Sequence, residues 1–189
     1  MAGSKAIRGG AVFLDRDGTI NIDTGYLSKP EELVLIPGAA EAIRRLNGLG
    51  VKVIIITNQS GVGRGYFTDA DVDRVNARLA ALLGLEGARI DGVYYCIHRP
   101  GDGCGCRKPQ NGLTLKAAEE HGVDLSRSFV VGDKASDVEL AWGSGARGVL
   151  VLTGNGPEEL EKMARRPDHV APDLREAVEW IIGELETDG

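Results

Sequence analysis

Asp15 and Asp17 stand one residue apart at the end of an apolar run, Val12-Phe13-Leu14, with Gly18 and Thr19 following. Carboxylates at the carboxyl end of a buried strand can attack an electrophile or ligate a hard cation. An isolated D-x-D-G is also a common Asp-Gly turn, so the rest of the chain decides. Three further polar groups answer it: Thr57-Asn58-Gln59-Ser60, Arg107-Lys108, and Gly132-Asp133-Lys134 with Asp137 one helical turn on. A carboxylate attacking a phosphate monoester meets a dianion, so the site needs a cation and fixed donors. Asp15 and Asp133, brought together from two strand ends, offer hard oxygen ligands for Mg2+. Taken singly, Lys108 reads as a solvated loop lysine, and Asp137 as a charge at a helix start.

A second group is soft: Cys96, His98, Cys104 and Cys106. Three thiols and one imidazole in a run of eleven residues suit a closed tetrahedral structural zinc site, and Gly101, Gly103 and Gly105 let the loop fold back. The spacing lacks C-x2-C, and the alternative is free cysteines beside a surface histidine. Arg107 and Lys108 follow Cys106 directly, so a metal folding this loop would also fix two cations. His121 and His169 fall outside the cluster and read as ordinary surface residues.

The elements that must position these groups follow from hydrophobic pattern and punctuation. Strands are expected at 12–14, 51–57, 93–97, 129–131 and 147–152, and helices at 39–46, from Thr68 to about Leu83, at 113–121, 135–142, 157–165 and 172–185. Strand-helix alternation over the whole length predicts an α/β fold, a single doubly wound, Rossmann-like parallel sheet with helices on both faces and no separate cap domain. Residues 1–189 are expected to form one domain with its zinc loop at 96–106. A net charge of −6 argues against nucleic acid as a partner. No run reaches the length of a membrane span, and Met1 to Gly10 shows no signal-peptide pattern, so a cytoplasmic monomer without membrane contact is expected.

The ordered set D-R-D-G-T (15–19), Thr57, Lys108 and G-D-x-x-x-D (132–137) resembles the four motifs of the haloacid dehalogenase superfamily of phosphohydrolases. The resemblance implies that Asp15 is the nucleophile of an aspartyl-phosphate mechanism, that Asp17 is general acid and base, and that Asp15, Asp133 and the Asp17 backbone carbonyl hold Mg2+. It further implies that Thr57, with Asn58 beside it, binds the phosphoryl oxygens, that Lys108 neutralises their charge, and that Asp137 stands behind the ligands.

Within the superfamily, T-N-Q-S-G, the Cys/His loop, C-R-K-P and G-D-K are most similar to the zinc-loop branch acting on heptose bisphosphates and on histidinol phosphate. Gly25-Tyr26, Arg107-Lys108 and Gly132-Asp133-Lys134 favour the first, with loss of the C7 phosphate. By that resemblance a small sugar phosphate is the partner, contacted by Asp23, Thr24, Gly25, Tyr26, Thr57, Asn58, Gln59, Ser60, Arg107, Lys108 and Lys134. A DNA-end 3′-phosphatase, or a non-catalytic zinc-stabilised interaction module, is the reading from another class.

Overall fold

The computed structural model describes residues 9–187, so the reading of the first residues, up to Arg8, as free of a signal sequence lies outside the described part. Six strands, β1 (Ala11–Leu14), β2 (Lys52–Asn58), β3 (Gly92–Cys96), β4 (Phe129–Gly132), β5 (Arg147–Val151) and β6 (His169–Ala171), form one sheet in the order β3-β2-β1-β4-β5-β6. All five pairings are parallel. The chain winds outward from β1 to β3, returns to lay β4 beside β1, and winds outward again. The strand order therefore reverses between β1 and β4, where the crevice of a doubly wound sheet opens.

The helices are α1 (Ala39–Gly48), α2 (Ser60–Gly63), α3 (Asp69–Leu85), α4 (Gly112–His121), α5 (Ala135–Ser144), α6 (Gly156–Lys162) and α7 (Leu174–Thr187). Strand side chains alternate between two cores, as the pleat requires. Val12 and Leu14 join α1, α3 and α7 on one face, while Ala11 and Phe13 join α4 and α5 on the other. Burial on both faces explains why β1, β2 and β4 read as continuous apolar runs. No second domain stands over the sheet among the described residues, and none of their helices is long and apolar enough to cross a membrane.

Three details differ from the sequence pattern. His169 opens β6, an edge strand too short to show a period, and its half-buried ring stacks on Trp180 at 4.5 Å, so it is no ordinary surface residue. The last helix begins at Leu174 because Asp173, a better cap than Pro172, accepts the Glu176 N–H at 3.0 Å. The helix expected over 157–165 stops at Lys162, short of Arg165, which instead lies over the Trp142 ring.

Candidate active site

Asp15 prolongs β1, its N–H bonding to the Val131 carbonyl of β4 at 2.9 Å, which places it beside Asp133 at the reversal point. Lys108 arrives from the loop after β3. Its buried ammonium touches three oxygens: Asp15 Oδ1 at 2.8 Å, Asp137 Oδ1 at 2.6 Å and the Ile56 carbonyl at 2.8 Å. Asn58, ending β2, clasps the Lys108 backbone from both sides, accepting its N–H at 3.1 Å and donating to its carbonyl at 3.3 Å. Asn58 thereby orients Lys108, a contact that motif position alone does not reveal. Lys134 forms the opposite wall, with Nζ 3.2 Å from Asp133, 3.4 Å from Asp23 and 3.8 Å from Asp15.

Charge pairing decides the protonation of this buried group. Burial alone would raise the Asp15 carboxyl, but Lys108 and Lys134 outweigh it and hold the group below the usual carboxylate range. Burial would likewise lower Lys108, and Asp137 and Asp15 hold it above its ordinary value instead. Asp137 has Lys108 but also two like charges behind it, so burial pushes it up to about 7. Asp133 is raised by burial too, against the pull of Lys134. Removing either partner of the Asp15–Lys108 pair would leave a buried charge one partner short; full loss of pairing costs ~3–5 kcal/mol.

The Asp17 side chain does not join these carboxylates. Its oxygens accept from Arg16 at 2.9 Å, Asn21 at 2.9 Å and Gln59 at 2.9 Å. Gln59 donates as well to Thr57 Oγ1 at 2.9 Å, which links the end of β2 to Asp17. Asp17 could hold a cation only through its backbone carbonyl, the atom that the resemblance assigns. Gly18, at φ 86°, follows because a methyl there would collide with the Asp133 carboxylate.

A cavity of about 290 Å³ opens on these groups. Asp15, Asp17, Asp23, Gly25, Tyr26, Thr57, Asn58, Gln59, Ser60, Arg107, Lys108 and Lys134 line it, all expected from the sequence, and Thr24 does not. Gly61, the last residue of T-N-Q-S-G, and Ser136, at a helix start, line it in addition, and neither was expected as a contact. Tyr66 was also invisible in the pattern; its ring meets Tyr26 edge-on at 4.8 Å. Arg16 and Asn155 complete the missed set. Arg16 is fully buried beneath Asp17, and Asn155 donates to Asp133 through its backbone at 2.8 Å and its side chain at 3.0 Å.

Two metals were expected, and both donor sets fit. Oxygens of Asp15, Asp133 and Asp137 lie within 4.8 Å of one another, three buried carboxylates against two ammoniums, a surplus of negative charge that suits a divalent cation. Asp137 accepts from the Lys108 ammonium through Oδ1 and from the Lys134 N–H through Oδ2 at 3.1 Å, so it stands behind the pair as a partner of both lysines. In the second set the Cys96 sulfur lies 3.0 Å from Cys106 and 3.7 Å from Cys104, and His98 Nδ1 lies 3.2 Å from Cys106. Thiolates sharing a tetrahedral zinc at 2.3 Å sit about 3.8 Å apart, close to this spread. Burial pushes the Cys96 thiol up to about 12, so metal coordination is what would draw its proton off.

The doubly wound sheet, with a carboxylate pair at the β1 tip and a lysine and further acids at the neighbouring ends, defines a phosphohydrolase of the haloacid dehalogenase type. The HAD-hydrolase-like family model matches residues 105–177. D-glycero-D-manno-heptose-1,7-bisphosphate 7-phosphatase of Thermosynechococcus vestitus is 45% identical over 189 residues, covering 93% of this chain and 96% of the relative. The D-glycero-beta-D-manno-heptose-1,7-bisphosphate 7-phosphatase of Pseudomonas putida is 43% identical over 90% of this chain and 98% of its own length. A crystal structure of D,D-heptose 1,7-bisphosphate phosphatase from B. bronchiseptica, complexed with magnesium and phosphate, superposes with a TM-score of 0.87 at 34% identity, covering 92% of this chain and 99% of that one. The chain belongs to the heptose-1,7-bisphosphate 7-phosphatase family, and it is an enzyme, a phosphatase of the HAD-like hydrolases.

Proposed function

We propose that this phosphatase removes the C7 phosphate of D-glycero-D-manno-heptose 1,7-bisphosphate and leaves the C1 phosphate in place. The observation that carries the reading is the division of cations in the cavity. Lys108 lies buried on Asp15, while Arg107 and Lys134 line the same cavity and are only partly buried. One transferred phosphoryl group needs the first; a second anionic group at the far end of the sugar suits Arg107, whose planar fork matches phosphate oxygens. Histidinol phosphate, the second reading, carries an ammonium at that end, which Arg107 would repel.

Asp15 is the group placed to attack phosphorus, because Lys108 and Lys134 keep it ionised. A magnesium ion held by Asp15, Asp133 and the Asp17 carbonyl would offset the charge of the phosphoryl oxygens. Thr57 and the Lys108 ammonium face the same oxygens. The Asp17 carboxyl gives a proton to the departing sugar oxygen and then takes one from the water that hydrolyses the aspartyl-phosphate. Zinc in the Cys96–Cys106 loop would be structural. All of these groups come from the strands of one sheet or the loops that follow them, which supports reading 1–189 as one phosphatase domain; a cytoplasmic monomer free of nucleic acid is the matching cellular reading.

Phosphate release across a panel of sugar bisphosphates and histidinol phosphate tests the assignment. The heptose bisphosphate should exceed histidinol phosphate in kcat/KM by at least about tenfold, or ~1.4 kcal/mol of transition-state discrimination. A preference for histidinol phosphate would remove the substrate and leave the phosphatase chemistry.

A further inference from the structure

We infer that Asn76, on α3 and away from the cavity, is a positioning residue for Asp17, acting through Arg16. The inference rests on the acid and base role proposed above for Asp17.

A general acid works only when its oxygen is held near the leaving atom, and Asp17 has two rotatable bonds with which to miss it. Asp17 Oδ1 accepts from Arg16 Nε at 3.2 Å and from Arg16 Nη2 at 3.2 Å, while Asp17 Oδ2 accepts from Nη2 at 2.9 Å. The plane of the Arg16 guanidinium therefore sets the plane of the carboxylate. Arg16 has a side-chain exposure of 0%, and an arginine so buried keeps its orientation only through its partners. Its other end, Nη1, donates to Asn76 Oδ1 at 2.9 Å, across 60 residues of sequence. Asn21 and Gln59 hold the carboxylate itself; Asn76 holds the group that orients it.

The helix carrying Asn76 is fixed independently of the site. Thr68 and Asp71 form a reciprocal capping box at the start of α3, and Val72, Val75, Leu79 and Leu83 bury its apolar stripe. Asn76 follows Val75 at the edge of that stripe, half-buried, so its amide faces Arg16 by the register of the helix. Breaking this link frees the guanidinium to turn, and Asp17 turns with it.

An acid that is out of place is felt only when the leaving group needs a proton. The test compares kcat/KM, which reports steps up to departure of the leaving group, for p-nitrophenyl phosphate and for the heptose bisphosphate. The first leaves as a stable phenolate; the second must leave as an alcohol. Asn76→Leu should lower kcat/KM for the sugar by at least about tenfold and for the aryl ester by less than about twofold, since a misplaced general acid costs ~10–100-fold. Asn76→Asp, which keeps the acceptor oxygen, should restore the sugar value to within about threefold. Equal losses on both substrates, or no loss on either, overturn the inference, because a residue that merely supports the fold makes no such distinction. Asp17→Asn serves as the reference: if its losses are graded while those of Asn76→Leu are flat, Asn76 alone is wrong. If Asp17→Asn is itself flat, the acid role falls, and the inference with it.

Discussion

Asp15, Asp133 and Asp137 come from the tips of β1 and β4 and the start of α5, whereas Cys96, His98, Cys104 and Cys106 come from eleven consecutive residues. Both sets bring ligand atoms to within 4.8 Å, yet by opposite means. The carboxylates are aimed by parallel strands whose ladder and two apolar cores hold them with or without a cation, and Lys108 and Lys134 already balance much of their charge. Cys96 closes β3, but His98, Cys104 and Cys106 follow in a glycine-rich loop without regular structure, whose order depends on shared ligation. A metal at the first set should therefore be labile and matter to chemistry; at the second it should be firmly held and matter to the fold.

The largest effect should come from the rigid set. Asp15→Asn should reduce phosphate release to less than about a ten-thousandth, beyond the ~10²–10⁴-fold that loss of a general acid explains, while circular dichroism and melting temperature stay near those of the parent. The fold survives because Asp137 and the Ile56 carbonyl still accept from Lys108. A variant that keeps a hundredth of the rate would deny Asp15 the nucleophile's place.

Cys104→Ser should show the reverse balance. Metal analysis of the parent should find one zinc that survives dialysis, and the variant should lose it. The melting temperature should fall by roughly 5–10 °C, about 2–3 kcal/mol for a domain of this size. Activity should fall by only about tenfold, through Arg107, which donates to the His98 carbonyl at 3.3 Å and shifts when the loop loosens. An unchanged melting temperature in a zinc-free variant would erase the contrast between the regions.

The smallest effect separates the two sets by pH. Asp15 titrates below the ordinary 3.8, so the stability it contributes is present above 3.8 and is lost as pH falls through its lower folded value. Zinc ligands bind the metal deprotonated, and falling pH competes for them. Acid titration should thus release zinc to a chromogenic chelator while pH is still above 3.8, before cooperative unfolding. Release that coincides with unfolding would show the loop and the strand ends to be one unit.

Most of what the chain does was legible in one dimension, because the residues carrying it are tied to local pattern. Apolar runs ending in D-x-D-G, T-N-Q and G-D-K mark strand tips, and a parallel sheet gathers such tips at one edge. Eleven residues with four soft donors offer a metal-binding set without any fold at all. Thr24 lies between Asp23 and Gly25 in the chain, and of the three those two neighbours line the cavity.

Orientation and long-range company needed the tertiary structure. Nothing adjacent in sequence says that Arg16 turns inward to Asp17 and meets Asn76, that Asn58 grips the Lys108 backbone, or that Asp137 points at the Lys108 ammonium. Apart from the adjacent Arg16–Asp17 pair, these contacts cross 29 to 60 positions, set by which strand lies beside which and by the register of a helix against the sheet. β6 was hidden for a related reason: three residues at a sheet edge, His169-Val170-Ala171, are held by pairing with β5 and not by any period of their own. Composition and local pattern determined the chemistry available to this protein; packing decided which face each group shows and which groups share a charge, because burial and pairing are properties of neighbours in space.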